Sequence, residues 1–289
     1  MNAIYLYLYI LLKVVYSSST LNSFHKIPSG LLCVYKPKGP TSNDVVVKVR
    51  NILQGGIRAH FGLSKRAKIK VGHGGTLDPL AEGIVVLGVG EGTKLMSTYL
   101  EGSKGYVGVG LLGYETDTLD STGILTEEVD CSLVTIEKLE SVLPRFRGNV
   151  LQKPPMYSAL KRDGKKLYEL ARVGIEVERE ARPVTVYKLE LIPTSVLPHF
   201  SLDIECSGGF YVRSVISDIA RACGSRAHMT ALTRTKQGPF NLNHCIREEN
   251  WSCTTLIKGI IESSTVAGIN CDTLKPAYDS LSDGKLEPI

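Results

Sequence analysis

One carboxylate in this chain has the surroundings that covalent chemistry needs. Asp78 lies in the segment 71–90, is followed by Pro79, and precedes an apolar run at 84–87. Its loop contains four glycines, at Gly72, Gly74, Gly75 and Gly83. Glycine permits close backbone approach and the residue before a proline avoids helical geometry, so the loop is open yet fixed. A carboxylate held in this way suits nucleophilic catalysis, whereas a turn or N-capping aspartate is the alternative.

Several further blocks carry a family resemblance together with this loop. They read KPKGPTS at 36–42, GHGGTLDPLA at 72–81, TDTLDSTG at 116–123, PMYSALK at 155–161, ARPVTVY at 181–187 and GFYVR at 209–213. In this order they resemble the TruB family of pseudouridine synthases, over residues 31–240. The segment TRTKQGPF at 233–240 resembles the eukaryotic branch of that family.

The resemblance implies three catalytic residues. Asp78 would be the nucleophile, and the guanidinium of Arg213 would keep it ionised and oriented. Tyr106 would stack on the uracil and take part in removing its ring proton. Without the resemblance, Arg213 would be read as a surface or helix-start residue and Tyr106 as core packing. Relatives tend to have a basic residue before this tyrosine, but here it is Gly105.

The same resemblance implies a set of residues that contact the RNA. His73 would occupy the space that a flipped uridine leaves, with Tyr211 and Leu232 beside the flipped base. A turn hydrogen bond is the alternative for His73, and core packing for the other two. Lys36 would support the catalytic loop or contact phosphate. An inserted loop at 152–175 would clamp the RNA, with a charged surface hairpin as the alternative, and it carries Lys161 and Lys165.

The charge distribution is compatible with an RNA partner. The chain has 34 basic and 29 acidic residues, a net charge of 34 − 29 = +5. Segment 58–70 contains five basic residues and no acid, whereas 115–130 is acidic, so one basic side is expected to face a phosphate backbone. A solvated basic loop is the alternative.

Cofactor and metal motifs are weak or missing. The seven cysteines form no CxxC pair and no zinc spacing, which favours reduced thiols in an intracellular protein. Residues 108–113 match GxGxxG formally, but no helix is expected to open there, so we interpret the match as coincidence. The resemblance also implies no cofactor and no metal, because the isomerisation needs neither.

Apolar patterns predict the surrounding elements. Strands are expected at 31–35, 84–89, 106–112 and 200–206, and 55–70 is expected to be a basic loop. Helices are expected from Ser42 as N-cap, over 136–146 interrupted at Pro144, over 166–173, and over 215–223. Strands and helices mix without regular βαβ alternation, which predicts an α+β fold with a largely antiparallel sheet. The resemblance specifies the pseudouridine synthase fold.

Three regions are expected along the chain. Residues 1–26 form an extension, for which a dispensable segment is favoured over a targeting peptide, and a membrane anchor ranks last. Residues 27–250 form the catalytic domain. Residues 251–289 form a tail too short for the PUA domain of bacterial relatives, so RNA contacts should come mostly from the catalytic domain.

The resemblance implies an RNA pseudouridine synthase that acts on uridine 55 in the T-loop of tRNA, with messenger-RNA stem-loops of similar shape as further substrates. We expect a monomer without a membrane partner, located inside the cell, with nucleus or cytoplasm ahead of mitochondrion. The alternatives are an RNA-binding or folding protein whose catalysis is incidental, and a nucleotide-dependent oxidoreductase that uses residues 108–113.

Overall fold

The computed structural model describes residues 28–61, 68–270 and 278–279. Its strands are β1 (Gly30–Lys36), β2 (Val71–His73), β3 (Glu82–Val89), β4 (Lys104–Leu112), β5 (Tyr114–Thr116), β6 (Leu125–Glu128), β7 (Gly148–Gln152), β8 (Lys161–Arg162), β9 (Lys165–Lys166), β10 (Arg182–Leu191), β11 (His199–Cys206), β12 (Ala227–Gln237) and β13 (Phe240–Asn241). Its α-helices are α1 (Ser42–Phe61), α2 (Met96–Glu101), α3 (Ile136–Val142), α4 (Leu167–Ala171), α5 (Val212–Ala222) and α6 (Cys253–Val266).

A nine-stranded sheet forms the centre of the described structure. Its main path runs β1-β3-β12-β4-β11-β10-β7, with β2 paired to β3 and β13 to β12. Among these pairings only β12 with β3 is parallel. Two separate hairpins, β5-β6 and β8-β9, complete the strands. The predicted α+β fold with a largely antiparallel sheet is therefore confirmed.

The strands follow the apolar patterns in the sequence. In β1 and β3 the central residues are buried without alternation, as expected of strands covered on both faces. In β11 the alternation is clean, with Phe200, Leu202, Ile204 and Cys206 buried. Gly108 and Gly110 of β4 face α5, where a Cβ would crowd Val212 and Ile216. The chain then continues into β5, so the formal GxGxxG match serves packing and is not a dinucleotide site.

Helix α1 corrects two predictions. Its N-cap is Thr41, whose hydroxyl accepts from Asp44 N at 3.1 Å, while the Asp44 carboxylate accepts from Thr41 N at 2.8 Å. The predicted cap, Ser42, instead bonds the catalytic loop, as described below. The helix also continues to Phe61, so residues 55–61 are helical and the predicted basic loop does not begin at Gly55.

The segment after residue 250 adds to the same core. Leu256, Ile257 and Ile260 of α6 are fully buried. The helix also bonds the edge of β1, because Ser264 Oγ accepts from Leu31 N at 2.9 Å and Ser263 Oγ accepts from Cys33 N at 3.0 Å. Part of the expected tail is thus packed against the first strand.

Several expectations fall on residues outside the described ranges. These are the extension 1–26, residues 62–67 of the basic segment, and most of the chain beyond 270. Among the described helices, none has the length and apolar character needed to cross a membrane.

Candidate active site

Asp78 lies in the loop between β2 and β3 and lines a cavity of about 690 Å³. About a third of its side chain, 36%, is exposed. The backbone turns directly after it, where Ala81 N donates to Asp78 O at 3.0 Å. Gly83 is required next to this turn, because its φ is +108° and a Cβ there would overlap the backbone of Arg234. The carboxylate is therefore held in an open but rigid loop.

A buried arginine supports this loop from the sheet. Arg234 on β12 is only 1% exposed, and its guanidinium donates to Ile84 O at 2.7 Å and Gly75 O at 3.2 Å. Gln237 Nε2 donates to Gly74 O at 2.7 Å. These contacts saturate backbone carbonyls on the inner side of the loop, so the loop cannot move without breaking charge-assisted hydrogen bonds.

Two residues of the first block support the loop from the other side. Ser42 Oγ accepts from Leu77 N at 2.8 Å and contacts Leu77 O at 3.2 Å. Lys36 Nζ donates to Pro37 O at 2.9 Å and Pro79 O at 3.5 Å. Lys36 is fully buried, and burial lowers its pKa to about 8 although Asp78 raises it. Of its two expected roles, the structure favours loop support over phosphate contact.

Arg213, in the first turn of α5, contacts three separate segments beside the cavity. One guanidinium nitrogen lies 3.0 Å from Asp78 Oδ2 and donates to Tyr157 O at 2.9 Å. The other donates to Thr118 O at 2.8 Å and lies 3.7 Å from Asp120 Oδ2. The side chain is 5% exposed, so its planar fork is fixed by four oxygens from three segments.

Asp120 is a site residue that the sequence analysis missed. It is buried, and its Oδ1 accepts from Thr118 Oγ1 at 2.9 Å and from Thr122 N at 2.9 Å. Leu119, between Thr118 and Asp120, has φ +60°, which is uncommon for a leucine. It belongs to the turn that presents Thr118 O to Arg213. The density of hydroxyl and carboxyl groups in TDTLDSTG was the available signal.

Tyr106 on β4 is 6% exposed and lines the cavity with Asp78. Burial raises the pKa of its phenol, and the charge of Arg234 offsets part of that rise. A basic residue lies two positions earlier rather than one. Lys104 also lines the cavity, donates to Leu100 O at 2.7 Å and Gly102 O at 2.6 Å, and has its pKa lowered to about 8 by burial.

The three predicted base-contacting residues line the same cavity: His73, Tyr211 and Leu232. His73 Nδ1 accepts from Gly75 N at 3.4 Å, and burial lowers the pKa of this imidazole. The backbone of Tyr211 is fixed by Gln152, with hydrogen bonds of 2.8 and 3.0 Å, and burial raises the pKa of its phenol. Six of the nine predicted residues are thus brought together.

The other three do not belong to the cavity wall: Lys36 is buried beneath the loop, as described above, and Lys161 and Lys165 are exposed on the β8-β9 hairpin. The residues immediately before them, 158–160, do line it. The predicted inserted loop is therefore a charged hairpin joined directly to the cavity. Over the described residues, no cluster of three or more His, Cys, Asp or Glu side chains is arranged to hold a metal ion.

Comparison with known proteins gives consistent matches. Residues 62–212 match the sequence profile of the TruB family pseudouridylate synthase N-terminal domain. The chain is 44% identical over 264 residues to pseudouridylate synthase TRUB1 of Homo sapiens, covering 90% of this chain and 73% of that protein. It is 45% identical over 224 residues to tRNA pseudouridine synthase B of Azoarcus sp. (strain BH72), covering 78% and 70% respectively.

Solved structures share the fold. A Cbf5-Nop10-Gar1 complex matches with a TM-score of 0.56 and 28% identity, over 76% of this chain and 53% of that one. An H/ACA RNP bound to a substrate RNA containing 2′-deoxyuridine matches with a TM-score of 0.54 and 24% identity, over 87% and 59%. The protein thus spans just over half the length of the matched chain in each structure, and the second likeness concerns the fold alone.

Proposed function

This chain belongs to the TruB family of pseudouridylate synthases, and we propose that it converts uridine 55 in the T-loop of tRNA to pseudouridine with Asp78 as the nucleophile. One observation carries the assignment of the nucleophile. Asp78 is a partly exposed carboxylate in a cavity, 3.0 Å from the buried guanidinium of Arg213. The fixed guanidinium orients this carboxylate for nucleophilic attack.

The reaction is an isomerisation without net redox change. Asp78 attacks either the ribose or the uracil ring. The bond between N1 and C1′ breaks, the base turns, and a bond from C5 to C1′ forms, while the C5 proton is lost and N1 gains one. Tyr106 stacks on the base and contributes to this proton removal, with Arg234 near its phenol.

Recognition rests on the shape of the RNA loop and on one flipped uridine. His73 replaces the base in the stack, while Tyr211 and Leu232 contact the flipped base. Stem-loops in messenger RNA with the same shape form a second proposed substrate class. The exposed lysines of the β8-β9 hairpin hold the RNA over the cavity. We propose that the chain acts as a monomer inside the cell. The nucleus and the cytoplasm are the favoured compartments, and the mitochondrion is the alternative.

The competing function is RNA binding or folding with incidental catalysis. The test is pseudouridine formation at uridine 55 of an unmodified tRNA transcript by the full chain and by Asp78→Asn, with RNA affinity measured for both. We expect conversion by the wild type and none by the variant, at equal affinity, because the amide preserves size but cannot attack as a carboxylate.

A matched control makes the same chemical change away from the cavity. Asp130 is exposed, and among the described residues its side chain accepts hydrogen bonds within its own turn, from Ser132 N and Oγ. Asp130→Asn should convert uridine 55 at the wild-type rate. Binding without conversion by the wild type would favour the RNA-binding function, and conversion by Asp78→Asn would remove Asp78 as the nucleophile.

A further inference from the structure

The hydroxyl of Ser158 is a buried polar group without a protein partner. The residue is 4% exposed, and among the described residues its Oγ has no hydrogen-bond partner. It lines the cavity that contains Asp78. A buried hydroxyl left unsatisfied is costly, so native structures rarely retain one without a reason.

The backbone of Ser158 is fixed relative to the catalytic ion pair. Its N donates to Met156 O at 2.9 Å, and its carbonyl accepts from Tyr168 N at 3.1 Å. The preceding carbonyl, of Tyr157, accepts from the guanidinium of Arg213 at 2.9 Å. The backbone that carries this hydroxyl is therefore fixed relative to Arg213 and Asp78.

The phenol of Tyr211 is a polar neighbour in the same cavity. Burial raises the pKa of this phenol and the nearby Ser158 hydroxyl partly lowers it, so the two groups are close neighbours, although their geometry in the free protein does not meet that of a hydrogen bond. The wall thus presents a hydroxyl whose bonding capacity is not used within the protein. A hydroxyl both donates and accepts, so it suits the ribose hydroxyls or the carbonyl oxygens of a uridine.

We infer that Ser158 Oγ hydrogen-bonds the flipped nucleotide and is a further substrate-binding residue of this site. The inference rests on the proposed function. Its physical basis is that a substrate atom satisfies in the complex a group that is unsatisfied in the free protein. The unsatisfied hydroxyl lowers the stability of the free protein but allows recognition of the substrate, a pattern expected at functional sites.

Ser158→Ala tests this because activity should fall while stability should not. We expect kcat/KM for the tRNA transcript to fall about three- to tenfold, the effect of losing one neutral hydrogen bond. We expect Tm to stay equal or rise, because the substitution removes an unsatisfied buried group. A serine with a merely structural role would lower Tm on substitution and leave kcat/KM unchanged.

Ser225 provides the matched control. It is fully buried, its Oγ also has no partner among the described residues, and it does not line the cavity. Ser225→Ala should leave Tm equal or higher and leave kcat/KM unchanged. Wild-type kinetics for Ser158→Ala, or an equal loss in both variants, would overturn the inference. If the wild type itself converts no tRNA, the proposed function fails instead.

A transcript with 2′-deoxyuridine at the target position identifies the atom that is bound. If Ser158 bonds the 2′-hydroxyl, the deoxy substitution and Ser158→Ala should cost no more together than either alone. If it bonds the base, the two losses should multiply. A deoxy transcript that is not turned over would be compared by Kd in the same cycle.

Discussion

Two carboxylates share one guanidinium, and their surroundings separate their roles. Asp120 is buried and accepts hydrogen bonds from the turn around it, including Thr118 and Thr122, so its charge is already satisfied. Asp78 is 36% exposed and meets Arg213 on one side only. The saturated carboxylate is suited to holding the arginine, and the open one to reaction. The geometry thus singles out Asp78 without the motif.

Lys36 carries a charge that burial disfavours, which gives a prediction about pH. Its pKa is about 8 in the folded chain against 10.5 ordinarily. Between these values the unfolded chain binds more protons than the folded one, so this lysine makes stability rise with pH. Below pH 8 Lys36 is charged in the folded chain, and the full destabilisation by its buried charge is present. The stability of Lys36→Met relative to wild type should therefore be highest at pH 7 and should decrease as pH rises from 8 to 9.5.

Urea unfolding at pH 7, 8, 9 and 9.5 measures this difference, which can change by at most about 1.4 kcal/mol per pH unit. The trend is the test and not the absolute value, because losing the bonds to Pro37 and Pro79 subtracts an amount that does not depend on pH. Lys258→Met, at an exposed position on α6, is the control and should differ from wild type equally at every pH. A difference for Lys36→Met that stays constant would contradict the prediction.

At the scale of elements, local patterns predicted most strands and helices but not their long-range contacts. The burial of β1, β3 and β11 and the end of α5 before Gly224 followed from apolar runs, alternation and a glycine stop. Four of the six cavity residues, His73, Asp78, Tyr211 and Arg213, were found within motif blocks, whereas Tyr106 and Leu232 were found only by matching their positions to the family. Arg234 and Asp120 also lie within quoted blocks, but their roles were not predicted, because those roles depend on partners 93 to 159 residues away in the sequence.

The two glycines in α1 show why its length was underestimated. A Gly-Gly pair is typical of a loop, yet Gly55 and Gly56 are helical. At Gly56 a Cβ would overlap the side chain of Cys253 at the start of α6, whereas a Cβ at Gly55 meets nothing within 4 Å. Gly56 thus allows two helices to approach closely, a contact across almost 200 residues of sequence.

The same substitution at these neighbours should therefore have opposite effects. Gly55→Ala should raise the free energy of unfolding by about 0.5–1 kcal/mol, because alanine loses less entropy in a helix. Gly56→Ala should lower it by about 1–3 kcal/mol through overpacking. Urea unfolding measures the free energy of unfolding of both variants, and each variant is the control for the other. Equal shifts would mean that α1 and α6 do not pack at Gly56.

For the molecule as a whole, the arrangement of charge around the cavity matters more than net charge. The β8-β9 hairpin places four basic side chains within six residues, next to a cavity wall formed by residues 158–160. The cavity itself contains the Asp78–Arg213 pair. A basic projection beside a pocket for one nucleotide fits an RNA whose backbone is held outside while one base enters.

Lys161→Gln combined with Lys165→Gln should weaken tRNA binding without slowing the chemical step. If each lysine contacts one phosphate, the slope of log Kd against log salt should decrease by about 0.7–0.9 per lysine, because fewer counterions are released. Single-turnover conversion at saturating enzyme should keep the wild-type rate, since neither side chain lines the cavity.

Lys138→Gln combined with Lys258→Gln is the control for the loss of charge alone. These two lysines lie on α3 and α6, outside both the hairpin and the cavity. This variant has the same net charge as the hairpin variant. If binding depended only on overall charge, both double variants would weaken it alike and the hairpin would lose its assigned role. If the hairpin contacts the RNA, only its own variant should change the salt slope, because released counterions are those displaced at the contact surface.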